Sequence, residues 1–147
     1  MALREWRAAA GMSGAIPALP VRDADAAAAF YRDTLGFAAR YVAPDFAIVA
    51  RDGAVLHLWA AADEGWRSRE DLAAGPVCSG AESFLAGTAS CRVEVADVDG
   101  LFGELRARGV LLDASQDAPA VTDFGTREFA ASDLDGNLLI FFLRARG

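Results

Sequence analysis

The sequence predicts an α+β fold built from two βαβββ repeats packed together, each with a short curved mixed sheet and one main helix. Three landmarks occur twice in the same order: an Asp-x-Asp pair, a glycine after an apolar helical run, and an Asp-Gly turn before an apolar strand. They lie at Asp23, Gly36 and Asp52 in the first half and at Asp97, Gly109 and Asp135 in the second. Because one such unit cannot bury both faces of its sheet, we expect the halves to pack and to enclose a site between them.

The first repeat is expected to span residues 15–60. Its opening strand, Ile16–Pro20, contains prolines that favour a sheet edge or an irregular start. Asp23 is a good N-cap for a helix over Ala24–Thr34, and Gly36 stands where a glycine ends such a helix. Strands are then predicted at Ala39–Val42, Phe46–Arg51 and Ala54–Trp59, the last two joined by an Asp-Gly turn.

The second repeat is expected to span residues 88–143. Ala89–Val95 alternates as a strand, and Asp97 is the N-cap of a helix that Gly109 ends. Two strands follow, at Thr126–Ser132 and Asn137–Leu143.

The rest of the chain is divided into an N-terminal extension, 1–14, ahead of a single domain over 15–147, and a polar connector, 61–87, between the repeats. The sequence of the extension allows a short helix over Leu3–Ala10, and Met12 could also be the native start. Ordered connectors of this length are often functional.

Composition limits the class of protein. With 147 residues and 54% hydrophobic content, the chain is long enough for one real core. The net charge of −7 disfavours nucleic acid and anionic membranes as partners and favours a cationic compound, although it also serves plain solubility. All 14 basic residues are arginines, which excludes Schiff-base chemistry on a lysine. Without a secretory signal, a membrane-spanning apolar run or a disulfide framework, the expected location is the cytoplasm.

Five segments carry a family resemblance through their order and spacing: Ala15–Asp23, Ala29–Phe37, Asp45–Ala47, Phe124–Phe129 and Asp133–Leu138. Together they resemble the bleomycin resistance protein family of the glyoxalase/bleomycin resistance/extradiol dioxygenase (vicinal oxygen chelate) superfamily. The resemblance covers nearly all of 15–142. It implies the same paired βαβββ fold and adds expectations about the site.

The resemblance also implies where a metal would be held. Metalloenzymes of the superfamily place a His, Glu or Gln ligand on the first and on the last strand of each repeat. Counted from the landmarks, those positions are Ile16, His57, Ser90 and Ile140. Only His57 could ligate a divalent ion well, whereas a metal site needs about three protein ligands or more. The sequence therefore predicts no metal, no other cofactor and no catalytic residue.

Nucleophilic catalysis would depend on His57, the single histidine of the chain. A Ser-His-Asp or Cys-His arrangement needs it as the base, and nothing in the sequence brings Cys78 or Cys91 close to it. A histidine in a strand is more often a packed or hydrogen-bonded residue. The sequence contains no P-loop and no Gly-rich dinucleotide fingerprint.

Aromatic side chains are the remaining candidates for a binding site. Tyr41, Phe46, Trp59 and Phe124 lie on or beside strands that would line the concave sheet faces, although core packing is the ordinary role of such residues. The resemblance implies a ligand contact for Phe46 and groove-lining positions for Tyr41 and Trp59. Phe124 stands where these proteins commonly carry Trp, and its ring would stack on the planar bithiazole tail of a bleomycin-type drug.

Two further residues complete the predicted ligand-binding set. Asp45, beside Phe46, would attract a cationic tail, unless it is only a solvated turn residue. His57 is included at the position where a metalloenzyme would carry a ligand. In contrast, Arg127 and Glu128 are expected to pair with neighbours across the sheet.

The resemblance implies a C2 homodimer with two equivalent grooves at the subunit interface, and it leaves open whether the N-terminal strand is exchanged. The predicted function is metal-independent binding that sequesters a bleomycin-type or other planar cationic compound, giving antibiotic resistance by mass action. Two alternatives remain: a metal-dependent lyase, isomerase or dioxygenase of the same superfamily, and a binder of an unrelated metabolite. No nucleic acid or membrane partner is expected.

Overall fold

Two modules of identical element order make up the protein. The computed structural model describes residues 10–61 and 85–145. Module one consists of β1 (Ala18–Val21), α1 (Ala24–Asp33), β2 (Ala38–Val42), β3 (Phe46–Arg51) and β4 (Ala54–Ala60). Module two consists of β5 (Ser90–Glu94), α2 (Val98–Ala107), β6 (Ala120–Val121), β7 (Thr126–Ser132) and β8 (Leu138–Arg144).

Each module forms its own four-stranded mixed sheet, in the orders β1-β4-β3-β2 and β5-β8-β7-β6. In both, the first strand runs parallel to the last and the other neighbours are antiparallel. Equivalent residues are paired in the two sheets: Ala18 lies opposite His57 in one, and Arg92 opposite Ile140 in the other. The predicted α+β fold of two βαβββ repeats is confirmed.

The first two of the repeated landmarks, the Asp-x-Asp pair and the glycine, lie at the boundaries of the two helices. The Asp23 carboxylate accepts hydrogen bonds from two N–H groups of the first turn of α1, at 2.9 and 3.0 Å. The Asp97 carboxylate accepts one from Gly100, at 2.9 Å. Gly36, just past α1, has a φ of 75°, a left-handed conformation that strains residues with a Cβ. Local chain chemistry therefore determines where both helices begin and where α1 ends.

Each helix packs on one face of its own sheet, with α1 against β2, β3 and β4 and α2 against β7 and β8. We call this the covered face of a sheet and the opposite side its open face. The covered faces and both helices contribute to a single buried apolar cluster, which includes Leu19, Leu56, Leu58, Phe129 and Phe141.

A buried polar network joins the modules on this covered side. The Tyr31 hydroxyl donates to Asp133 at 2.9 Å, and the Asn137 amide donates to Asp133 at 2.9 Å and to the Pro20 carbonyl at 2.8 Å. Burial, followed by the neighbouring Asp133 charge, raises the pKa of Tyr31 well above its ordinary value. The tyrosine is therefore a neutral donor that links α1 to the turn before β8.

Ion pairs add to the contact between modules. Arg22 pairs with Asp135 at 3.1 Å, and Arg51 pairs with Glu104 of α2 at 2.6 Å. The ion pairs and polar network named here join the modules through helices, turns and the end of β3, and none of them uses a side chain of the open faces.

Two strands differ from the sequence prediction. The first begins at Ala18 and not at Ile16, although the Pro17 carbonyl still accepts a hydrogen bond from His57 N–H at 3.0 Å. The sequence prediction located only three of the four strands of the second repeat; the fourth is β6, which has only two residues, both exposed. The predicted helix over Leu3–Ala10 and most of connector 61–87 lie outside the described residues.

Candidate functional site

The open face of module one brings together four of the predicted binding residues. Strand pairing places Phe46 opposite Trp59, Ile48 opposite His57, and Tyr41 opposite Ile48. Because side chains alternate along a strand, all five project from the same side, while Ala47, Val49, Leu56 and Leu58 point into the core. The open face of module one is defined by these side chains: Tyr41, Phe46, Ile48, His57 and Trp59.

Phe46 lies at the centre of this face. Its ring centroid is 4.5 Å from that of Trp59, 5.0 Å from that of His57 and 6.0 Å from that of Tyr41. The Phe46–His57 contact is edge-to-face, so the imidazole is packed against an aromatic ring. Tyr41 is 54% exposed at the outer end of the cluster. The result is an aromatic wall whose members support one another.

Asp45 lies beside this wall. It is exposed, and its backbone carbonyl accepts a hydrogen bond from Ala60 N–H at 2.9 Å. That bond holds the Asp45 backbone next to Ala60, which directly follows Trp59 at the end of β4. The backbone of Asp45 is thereby fixed beside the aromatic wall, and its side chain is exposed.

The open face of module two has a different character. It is defined by Arg92 of β5, Glu128 of β7, Ile140 and Phe142 of β8, with Phe124 at its edge. The Arg92 guanidinium carbon lies 4.6 Å from the Phe142 ring centroid and 5.8 Å from that of Phe124. Both distances are within the range of cation–π attraction.

Glu128 holds the Arg92 side chain in this position. Arg92 Nη2 donates to Oε2 at 2.7 Å and Nη1 to Oε1 at 3.4 Å. The Thr126 hydroxyl donates to Oε2 at 2.8 Å. The bond from Arg92 is the first cause that lowers the pKa of Glu128, while partial burial opposes the shift. The carboxylate is thus ionised at neutral pH and both of its oxygens are engaged.

The turn that presents Phe124 is tied down on both sides. Thr122 N–H donates to the Thr126 carbonyl at 2.8 Å, and Thr126 N–H donates to the Thr122 hydroxyl oxygen at 3.0 Å. Ala145 N–H donates to the Gly125 carbonyl at 2.7 Å. The Phe124 ring is nevertheless 69% exposed. A well-fixed backbone therefore carries a large apolar ring that adds little to the core.

Residues 15–141 match the family model described as the Glyoxalase/Bleomycin resistance protein/Dioxygenase superfamily. The chain belongs to this superfamily. It is 44% identical over 131 residues to the bleomycin resistance protein of Geobacillus stearothermophilus, which covers 89% of this chain and 96% of the relative. The same identity and coverage hold for a bleomycin resistance protein of Staphylococcus aureus. The resemblance seen in the sequence is confirmed.

Two solved structures have a similar fold over most of the chain. The bleomycin-binding protein of bleomycin-producing Streptomyces verticillus, in complex with copper(II)-bleomycin, is 31% identical with a TM-score of 0.61. The match covers 92% of this chain and 98% of that one. An antibiotic-binding protein from a Streptomyces species is 26% identical with a TM-score of 0.65, over 92% and 98% of the two chains.

Of the four positions at which superfamily metalloenzymes would hold a metal, only His57 carries a good donor here. His57 and Ile140 lie on the open faces, Ser90 begins β5, and Ile16 precedes β1 with 53% exposure. Isoleucine offers no lone pair, and a neutral serine hydroxyl is a weak ligand. Within residues 10–61 and 85–145 there is no group of three or more His, Cys, Asp or Glu side chains placed to hold a metal ion. The residues present therefore do not fit a superfamily metal centre.

Nucleophilic chemistry finds no support in the arrangement of the described residues. Cys91 is half-buried on the covered side of β5, opposite Leu139, whereas His57 lies on the open face of module one. Burial raises the pKa of Cys91 to about 11, so its thiol is protonated at neutral pH. The other cysteine, Cys78, lies outside the described residues.

A cavity of about 810 Å³ lies between the modules. Its walls include apolar core side chains, among them Leu35, Phe37, Leu56, Leu105 and Phe141. Arg92 is among the lining residues, but none of the predicted binding residues is. The two open faces, and not this cavity, hold the predicted site.

Sequence reasoning missed Arg92, whose guanidinium lies beside the predicted Phe124, and Phe142, whose ring packs against the same guanidinium. Glu128 was assigned a structural partner across the sheet, and its partner is Arg92; Arg127, on the other side of the same strand, pairs with Asp99 of α2 at 2.7 Å. Strand alternation could have identified Arg92, because it places Arg92 on the same side of β5 as Ser90, one of the four positions that the resemblance assigns to the site. Within the described residues, no helix is long and apolar enough to cross a membrane.

Proposed function

We propose that this protein is a metal-independent binding protein that sequesters a bleomycin-type or other planar cationic compound and thereby confers resistance. The observation that carries the proposal is the Phe124 ring, which is 69% exposed on a turn fixed by three hydrogen bonds. An exposed ring on an ordered turn is better suited to stacking on a planar ligand than to stabilising the fold. Relatives named for bleomycin resistance and bleomycin binding support the same function.

The site is proposed to have two walls from two protomers. Each chain offers an aromatic open face and a second, charged open face, and each side chain contact described above stays within its own face. In a C2 homodimer the open face of module one can cover the open face of module two of the partner, which gives two equivalent grooves. Large exposed apolar residues on these faces, Tyr41 and Phe124, support such a contact.

Within each groove, Phe124 would stack on the planar part of the ligand from one side. Tyr41, Phe46, His57 and Trp59 would form the opposite wall. Asp45, at the edge of that wall, would attract the cationic tail, helped by the net charge of −7. Binding is the whole mechanism, because a drug held in the groove is removed from solution in proportion to its affinity.

The test is titration calorimetry with bleomycin, combined with the mass of the protein in solution by light scattering. We expect heat of binding, one drug per chain and a dimeric mass. An affinity weaker than millimolar would reject the drug assignment, and a monomeric mass with full affinity would reject the two-protomer groove.

Metal content provides a separate test of the metal-independent part. The donor set of Ile16, His57, Ser90 and Ile140 predicts substoichiometric metal in protein purified without chelator. Tightly held Fe, Mn, Ni or Zn at one ion per chain would contradict it and would favour an enzyme of the same superfamily.

A further inference from the structure

We propose that Arg92 is a specificity-determining residue of the groove, donating hydrogen bonds to an acceptor atom on the planar part of the ligand beside Phe124. The inference rests on the proposed function, because it assigns one more contact within the same groove. It selects for planar ligands that carry a carbonyl oxygen or ring nitrogen next to the stacking surface.

The first observation is that the Arg92 guanidinium packs against two aromatic rings of the module two open face. It lies over Phe142 at 4.6 Å and beside Phe124 at 5.8 Å, measured to the ring centroids. An arginine that already stacks on aromatic rings loses little freedom when it meets a ligand. Arg92 therefore forms a surface continuous with the ring that is proposed to stack.

The second observation concerns its hydrogen-bond donors. Glu128 engages the Nη1 and Nη2 ends of the guanidinium, and no other acceptor bonds it within the described part of the chain. The Arg92 side chain is still 41% exposed. A guanidinium has more N–H donors than one carboxylate can accept, so donors remain for a ligand.

The third observation is that both oxygens of the carboxylate that holds Arg92 are already engaged. Oε1 of Glu128 accepts from Arg92, and Oε2 accepts from Arg92 and Thr126. Glu94, two residues along β5 on the same side of the sheet, pairs instead with Arg144 at 3.0 Å. Beside Phe124 this layer therefore presents the remaining N–H donors of Arg92, which select for an acceptor atom on the ligand.

An exposed ion pair between Arg92 and Glu128 could also be only a surface contact of little energetic effect. If that is its only role, replacing Arg92 should change the affinity for all ligands by the same factor. The experiment therefore has to measure selectivity between two ligands and not affinity alone.

The probes are bleomycin and two bithiazole fragments, one with a carboxamide on the ring system and one without it, competed against bleomycin. They are titrated into the native protein, Arg92→Lys, Arg92→Gln and Arg127→Gln. Arg127 is the matched control, because it is a neighbouring arginine with its own ion pair, to Asp99, on the covered side of the sheet. Melting temperatures are recorded for each variant.

The native protein and Arg127→Gln should prefer the carboxamide fragment by about tenfold, the size expected for a hydrogen bond to a charged donor. Arg92→Gln should bind both fragments equally, and Arg92→Lys should lose most of the preference because an ammonium cannot replace the flat fork. If Arg92→Gln fails to fold, Arg92→Lys alone decides.

A preference that survives in both Arg92 variants overturns the proposal while leaving the drug-binding function standing. An equal loss for both fragments, with the preference intact, also overturns it and assigns Arg92 a purely supporting role under Phe124. If the native protein binds neither bleomycin nor either fragment, the proposed function fails first and the Arg92 proposal fails with it.

Discussion

The two open faces belong to sheets of the same topology, but their aromatic side chains are packed differently. On module one, Phe46 packs against three neighbouring rings at 4.5 to 6.0 Å, so the wall is supported by its own members. On module two, the Phe124 ring is largely exposed. Within the described residues it has no aromatic partner and lies only beside the Arg92 guanidinium, 5.8 Å from the ring centroid. If both faces bind the ligand as proposed, the aromatic residues of module one serve folding and binding together, whereas Phe124 of module two serves binding alone.

Phe124→Ala should produce the largest change in binding. Loss of the stacking ring should weaken bleomycin affinity by about tenfold to a hundredfold, as for a central aromatic contact in an interface. Because the ring is 69% exposed, the melting temperature should hardly change. Calorimetric titration and thermal unfolding measure the two quantities.

Leu134→Ala is the control for this change. Leu134 is 52% exposed in the turn between β7 and β8 and is not one of the residues that define either open face, so its loss should affect neither quantity. The contradicting result is a Phe124→Ala variant whose free energy of unfolding falls by as much as its binding free energy. The ring would then belong to the core, and the two faces would not differ in this respect.

Phe46→Leu should give a smaller and mixed effect. The leucine keeps an apolar side chain but loses the edge-to-face contact with His57 and the contact with Trp59. We expect about 1 kcal/mol less stability and a loss of affinity of about tenfold or less. Denaturant unfolding and bleomycin titration on the same sample would test whether the two losses occur together.

Phe37→Leu provides the matched control for Phe46. Phe37 is 4% exposed and packs edge-to-face on Tyr31 at 5.4 Å, on the covered side of the module. This change should lower stability and leave affinity unaltered. If Phe46→Leu behaves in the same way, the aromatic wall of module one is only a packing feature.

The sequence was sufficient where structure depends on local chemistry. The caps at Asp23 and Asp97 are read from neighbouring residues, and strand alternation placed Phe46 and Trp59 on one face. The short strand β6 could not be located, because two exposed residues show no alternation.

The role of Arg92 was hidden for a different reason. Its neighbours come from other strands: Glu128 from β7, Phe142 from β8 and Phe124 from the turn before β7. No local pattern identifies a contact that depends on the order of strands in the sheet. Residues of this kind need the three-dimensional arrangement, whereas the residues of the aromatic wall follow from sequence alternation and family resemblance.

The smallest effect concerns the Arg92–Glu128 ion pair on the open face of module two. The pKa of Glu128 is lowered from its ordinary value of 4.5, chiefly by Arg92. A lowered pKa in the folded state means that the unfolded chain takes up the proton first as the pH falls. The stability from this pair is therefore complete above about pH 4.5 and is lost below it, as the pH falls through the lowered pKa.

Between pH 5.5 and 8, roughly, this pair should then contribute no pH dependence to stability or to bleomycin affinity. Below that range the native protein should lose stability slightly more steeply than Glu128→Gln, which has no proton to take up at this site. The difference should be small because the pair is partly exposed, with 41% of the Arg92 side chain and 18% of the Glu128 side chain accessible. Parallel acid-unfolding curves that overlay within error would show that Arg92 does not depend on Glu128 for its position, and the charged face would then be no better fixed than an ordinary surface.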